Sequence, residues 1–249
     1  MNLSGNTILI TGGATGIGLA LAEEFLQREN EVIICGRRQE KLQEAQDKNP
    51  KLHILQCDIS RSRERISLAK TVTEKFPSIN ILINNAGIQQ ELNFLEEIDS
   101  EKIENEVASN LTAQIHLSSL FIPQFLKKES PAIVNMSSGL GFIPLAIVPV
   151  YCATKAAIHS FTMSLRKQLE KTSIKVFEMA PPTVDSDLDR GARDKRGMVD
   201  KGIRPEECAK EIVKALEANT MFALIGQAEN LYGAVTSGKG EFVFERMNG

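Results

Sequence analysis

The chain has 249 residues, 42% of them hydrophobic, with 29 Lys and Arg against 32 Asp and Glu for a formal net charge of -3. That apolar content builds a large core and excludes a disordered chain, and charges of mixed sign exclude the basic excess of a nucleic-acid binder. No stretch approaches the roughly 18 apolar residues of a membrane helix, and the N-terminus lacks the basic start and apolar core of a signal peptide, so a cytoplasmic protein is expected.

Short apolar runs alternate with helical patterns along the whole chain. NTILITGG (6–13) reads as a buried strand, and GIGLALAEEFLQREN continues with apolar residues at helical spacing. EVIICG, the helix-like RRQEKLQEAQDK, KLHILQCD, a helix over 61–76 and INILINNAG follow. One helix is predicted over about 100–127, then the strand PAIVNMSS, a helix from Tyr151 to about 171, and the strand SIKVFEMAPP, stopped by two prolines. A helix over about 205–218 and the strand MFALIG close the pattern. The strands are apolar on both faces, which fits a parallel sheet covered by helices on each side. The expected fold is a doubly wound α/β sheet of the Rossmann type, with about seven strands in a single domain. The segment 185–202 fits neither period, is polar, and is expected to be a loop that serves as a substrate lid.

Four cysteines, Cys35, Cys57, Cys152 and Cys208, form no CxxC pair, and His53, His116 and His159 are scattered, so free thiols and no metal site are expected. Thr11-Gly12-Gly13-Ala14-Thr15-Gly16-Ile17-Gly18 lies between the first strand and the first helix. There a turn offers backbone N–H groups at a helix N-terminus, where a pyrophosphate binds, and glycines let it approach. About 20 residues on, the acid that NAD enzymes use on the ribose is absent, and Arg37 and Arg38 stand after Cys35-Gly36. Arginine pairs with a 2′-phosphate that a carboxylate would repel, so NADP is the expected cofactor. Asp58 ends the third strand and has two readings, an acceptor at the ligand crevice or the N-cap of the next helix.

The order Thr11-Gly12-xxx-Gly16-Ile17-Gly18, Asn84-Asn85-Ala86-Gly87, Ser138 and Tyr151-xxx-Lys155 resembles the short-chain dehydrogenase/reductase family of one-domain type, over residues 1 to about 186. EVIICGRR and PVYCATKAAIHSF resemble a DltE-like bacterial branch of it. The resemblance implies Tyr151 as general acid in carbonyl reduction or base in alcohol oxidation. Its free pKa of about 10 is too high near neutrality, and a cation one helical turn away, Lys155, favours the phenolate. Ser138 would hold the substrate carbonyl, with Ser137 the neighbouring alternative pointing the other way by strand alternation. Asn110 would bend its helix and hold a relay water. The cofactor would lie on Gly12, Thr15, Gly16, Ile17, Gly18, Arg37, Arg38, Asp58, Ile59, Asn85, Ala86, Gly87, Tyr151, Lys155, Pro181 and Val184.

Pro182 stands where the family carries glycine, and the segment AENLYGAVTSGKGEFVFERMNG departs from the usual family ending. The apolar run 139–150 has two readings, a substrate wall or core. The first makes the substrate an apolar carbonyl compound or secondary alcohol. A homodimer or homotetramer built on long helices is expected from the resemblance. A non-catalytic NADP-binding sensor on the same fold is the alternative function. A sugar-nucleotide epimerase would need a C-terminal substrate domain, and a serine hydrolase a G-x-S-x-G elbow that the chain lacks.

Overall fold

The computed structural model describes residues 1–188, 197 and 202–249. The seven expected strands are β1 Thr7–Thr11, β2 Glu31–Gly36, β3 His53–Gln56, β4 Ile79–Asn84, β5 Ala132–Met136, β6 Lys175–Ala180 and β7 Phe222–Leu224. They form one sheet in the order β3-β2-β1-β4-β5-β6-β7, parallel throughout. The order reverses beside β1, and in open α/β sheets that reversal opens a crevice at the C-terminal strand ends.

Both sheet faces are buried, as the unbroken apolar strands require. Successive side chains of β1 serve opposite layers. Ile8 and Ile10 join Leu21 and Phe25 of α1 (Gly16–Leu26) and Ile212 and Leu216 of α7 (Pro205–Glu217). Leu9 joins Val72 of α3 (Ser62–Lys75) and Phe121 and Phe125 of α5 (Ala113–Phe125). The remaining helices before α7 are α2 Gln39–Lys48, α4 Ser100–Val107 and α6 Pro149–Gln168. No helix among the described residues is long and apolar enough to cross a membrane.

Two expectations need correction. The single helix predicted over about 100–127 is α4 and α5 joined by a π-helical segment, Ala108–Thr112. An extra residue in that turn re-aims the side chains it carries, and Asn110 is among them. Beyond β7, where sequence patterning gave no element, stand α8 (Gln227–Thr236) and α9 (Gly240–Asn248). α8 buries only Ala228 and α9 buries no residue, so neither has the apolar stripe that announces a helix. The expected loop at 185–202 lies mostly outside the described residues. At its two ends Val184 bridges Ile203, with Asp185 N–H donating to the Ile203 carbonyl at 2.9 Å.

Candidate active site

The site grows from the end of β1. Thr11 Oγ1 accepts the backbone N–H groups of Asn85 and Ala86, both at 3.0 Å. Asn85 Nδ2 returns to the Thr11 carbonyl at 2.9 Å and the Gly12 carbonyl at 3.2 Å. The glycine turn and the turn after β4 are thus one stitched unit. Gly12 has φ +64, and a Cβ there would sit 2.8 Å from Ala86 Cα. A Cβ on Gly18 would collide with the Gly12 carbonyl and sit 2.5 Å from Asn85 Nδ2. Thr15 is the N-cap of α1 yet makes no side-chain cap hydrogen bond. The result is a clear backbone cradle at a helix N-terminus, which fits the pyrophosphate of a dinucleotide.

The cradle opens into a cavity of about 920 Å³, large enough for a cofactor and a substrate. It is lined by Gly12, Thr15, Gly16, Ile17, Arg37, Arg38, Asp58, Ile59, Asn85, Ala86, Gly87, Ser138, Tyr151, Lys155, Pro181 and Val184. The structure therefore brings to one cavity every sequence-derived site residue except Gly18 and Asn110, which stand behind its wall. Arg38 NH2 lies 3.4 Å from Thr15 Oγ1, which places this guanidinium beside the cradle.

Asp58 is not the cap of α3, whose N-cap is Arg61. Its Oδ1 accepts from Ser60 N–H at 3.0 Å and Ser60 Oγ at 2.7 Å, closing the turn that follows β3.

Tyr151 and Lys155 sit in the first turns of α6, which begins with Pro149 at a position where a missing N–H costs nothing. Lys155 Nζ lies 5.5 Å from the centre of the Tyr151 ring and donates to the Met136 carbonyl at 2.8 Å. Burial pulls the Lys155 ammonium down to about 8, and the Glu106 carboxylate pulls it back up. Asn110 hooks the 84–88 turn through Ile88, with Oδ1 accepting the Ile88 N–H and Nδ2 donating to its carbonyl, each at 2.8 Å. Nδ2 also approaches Thr154 Oγ1 at 3.3 Å, and Thr154 donates to the Tyr151 carbonyl at 2.7 Å. Asn110 is therefore tied to both the cofactor rim and the helix of Tyr151.

Ser138 follows β5 in extended conformation, and its Oγ accepts from Leu140 N–H at 3.2 Å. Ser137 is committed elsewhere, as alternation predicts. Its hydroxyl donates to the buried Glu178 carboxylate at 2.7 Å, which also meets His159 Nδ1 at 2.9 Å. The run 139–150 divides between its two readings. Leu140 and Leu145 line the cavity, Ile143 and Val148 are buried as core, and Phe142 packs edge-on to His159, Phe222 and Tyr232.

Sequence reasoning missed Glu106. This carboxylic acid is fully buried, one helical turn before Asn110. Oε1 accepts from Gln90 N–H at 3.2 Å, and Oε2 has no hydrogen-bond partner among the described residues. Burial pushes its pKa up to about 7, against the pull of the Gln90 N–H and of Lys155. A signal was present: Glu106, Asn110 and Gln114 recur every four residues and are all buried, a polar stripe on a helix face that packs inward. Also missed were Gln227, Ala228, Asn230, Leu231 and Met247, which reach the cavity from the two C-terminal helices.

Residues 6–197 match a family model described as short chain dehydrogenase. An uncharacterized oxidoreductase of Bacillus subtilis (strain 168), DltE, is 43% identical over 249 residues, covering 100% of this chain and 98% of its own length. The NADP-dependent 3-hydroxy acid dehydrogenase YdfG of Escherichia coli (strain K12) is 30% identical over 178 residues, 71% of this chain and 72% of that one. Among solved structures, a short-chain dehydrogenase from Sphingobium yanoikuyae in complex with NADPH matches with a TM-score of 0.79 at 25% identity, over 96% of this chain and 95% of that one.

Proposed function

The chain belongs to the short-chain dehydrogenase family, and from that premise we propose that it is an NADP-dependent oxidoreductase interconverting a carbonyl compound and a secondary alcohol. One observation carries the reading. Lys155 stands against the Tyr151 ring at the edge of a cavity that continues into a glycine cradle flanked by Arg37 and Arg38. An NADP-dependent relative and a structural neighbour in complex with NADPH support the cofactor.

Bound NADPH supplies the hydride, and the protein supplies position and the proton. Gly12 and Gly16 keep side chains clear of the pyrophosphate, and Gly18 lets α1 pack against the Gly12 carbonyl and Asn85. Arg37 and Arg38 pair with the 2′-phosphate. Asn85, Ala86 and Gly87, with Pro181 and Val184, shape the nicotinamide end. Ser138 Oγ donates to the substrate oxygen and steadies the charge that develops on it. Tyr151 donates its phenolic proton to the same oxygen in reduction and takes it back in oxidation. Lys155 favours the phenolate left behind, and its own proton is held loosely because the site is buried. Asn110 fixes the 84–88 turn and α6 relative to each other. Leu140 and Leu145 favour an apolar substrate. The sensor alternative leaves Ser138, Tyr151 and Lys155 without a chemical task.

NADPH and NADH consumption over a panel of ketones, aldehydes and 3-hydroxy acids, beside Tyr151→Phe, tests the reading. Turnover that prefers NADPH and falls by about 10²–10⁴ in the variant is expected. Tight NADPH binding with no turnover on any compound, or equal rates in the variant, would defeat it.

A further inference from the structure

We propose that the two C-terminal helices form the substrate-selecting wall of the cavity, with Asn248 as the latch that holds it closed and Met247 as a substrate contact. The inference rests on the oxidoreductase reading for the word substrate, and on geometry alone for the latch.

α8 packs directly behind the serine of the site. A Cβ on Gly139, the residue after Ser138, would lie 3.0 Å from Leu231 Cδ1 and 3.1 Å from Ala228 Cα. The turn into α9 runs through Gly238 at φ +75, a left-handed conformation that favours glycine, and Lys239 N–H closes it on the Ala234 carbonyl at 2.8 Å. α9 then runs back to place Met247 in the cavity. No residue of α9 is fully buried, and its apolar side chains Val243, Phe244 and Met247 are only half-buried.

What holds it is Asn248. Its Oδ1 accepts the Ala146 N–H at 2.6 Å, its Nδ2 donates to the Pro144 carbonyl at 3.2 Å, and Nδ2 also donates to the Phe244 carbonyl of its own helix at 2.8 Å. The segment it grips carries Leu145, which lines the cavity. Cys152 Sγ, one residue after Tyr151, holds the same Leu145 from the other side, accepting its N–H at 3.3 Å. The 144–148 segment is thus clamped between α6 and α9. Leu140, Leu145, Leu231 and Met247 all line the cavity, contributed by the 139–148 segment, α8 and α9. A substrate that suits it has its carbonyl at Tyr151 and a bulky apolar remainder. Methionine on a weakly packed helix adapts to varied shapes.

The test uses the full chain, NADPH and methyl ketones from acetone to 2-undecanone, with Asn248→Ala, Met247→Ala and, as a surface control on the same helix, Phe242→Ser. Hydrogen–deuterium exchange of 144–148 is read on each protein without added ligand. In Asn248→Ala the Ala146 amide exchanges about tenfold faster, and kcat/KM falls about tenfold for long ketones while acetone is affected far less. Met247→Ala shifts preference toward longer ketones, and Phe242→Ser matches the wild type. Unchanged protection at Ala146, or a loss equal for acetone and 2-undecanone, overturns the proposal. Exchange decides the latch whether or not any ketone is reduced. A wild type that reduces none of them, with the amide still freed in Asn248→Ala, counts against the proposed reaction and leaves the latch standing.

Discussion

The two rims of the cavity are anchored differently, one by a dense local stitch and one from a single distant side chain. The rim at the C-terminal ends of β1 and β4 is backbone held by backbone and by short side chains: Thr11 and Asn85 stitch two turns with bonds of 2.9–3.2 Å. The rim made by the 139–148 segment and the C-terminal helices is backbone held by one remote side chain, Asn248, on a helix none of whose residues is fully buried. The first suits a ligand whose shape never varies. The second suits one that differs between relatives. With the proposed latch, a single cavity joins a fixed half to an adjustable half, and Tyr151 and Lys155 line that same cavity.

Substitutions can break or sharpen that contrast. The largest effect is expected at Gly18→Ala, where the new Cβ has no room against the Gly12 carbonyl. NADPH affinity should fall more than about 100-fold, because a rigid rim has no compensating movement. Calorimetric titration showing near-normal binding would remove the contrast altogether.

Next, Arg37→Ala with Arg38→Ala should weaken NADPH by about 10- to 100-fold, as expected for lost charge-assisted bonds, and leave NADH within about twofold. Equal loss of both cofactors would show that the arginines shape the rim and do not read the phosphate.

Thr11→Val removes the acceptor of two backbone N–H groups. It should cost about 2 kcal/mol, seen as a Tm lower by roughly 4–8 °C in a chain of this size. A change under about 1 °C would mean the stitch is dispensable.

The smallest effect is the most diagnostic. Glu106 has a folded pKa of about 7 against an ordinary 4.5. Between those values the unfolded chain sheds a proton that the folded chain keeps, so stability falls as pH rises through that window. Glu106→Gln has no such proton. Its Tm relative to wild type should therefore improve steadily from about pH 4.5 to pH 7 and then level off. Lys155, lowered to about 8 from 10.5, runs the other way: its cost is present below 8 and is relieved as pH rises toward 10.5. Removing the Glu106 carboxylate also removes what holds the Lys155 ammonium up, so the limb of the pH–rate profile set by Lys155 should move to lower pH. Parallel Tm curves and superimposable rate profiles would make Glu106 a mere packing residue.

The same contrast explains what sequence could reveal. The fixed rim was legible because its demands fall on backbone: glycines at set spacing, small residues in Asn85-Ala86-Gly87, and a tyrosine and lysine one turn apart. The sheet was legible because both faces are buried and its strands are apolar throughout. The adjustable rim was not. α8 and α9 are short, bury one residue between them and carry Gly233 inside the first, so no periodic stripe marks them. The resemblance implies a bend at Asn110, but periodicity cannot show a π-helical turn there, because the partner of Asn110, Ile88, lies outside the helix, in the turn after β4. Asp58 escaped in part, because its short turn with Ser60 looks from sequence like a helix cap.

The strand order has a consequence for how the molecule is made. β1 leaves the ribosome before β2, β3 and β4, yet it lies between β2 and β4, and Ile8 pairs with Ile81. At about 5–20 residues per second, β4 emerges roughly 4–14 s after β1. During that interval β1 and β2 present an open edge and an apolar face that only α3, α5 and β4 later cover. The nascent chain therefore keeps an open β1 edge until residue 84 has appeared and an uncovered apolar face until α5 ends at residue 125, and slower translation of residues 31–125 should lower the soluble yield while leaving the finished protein unchanged.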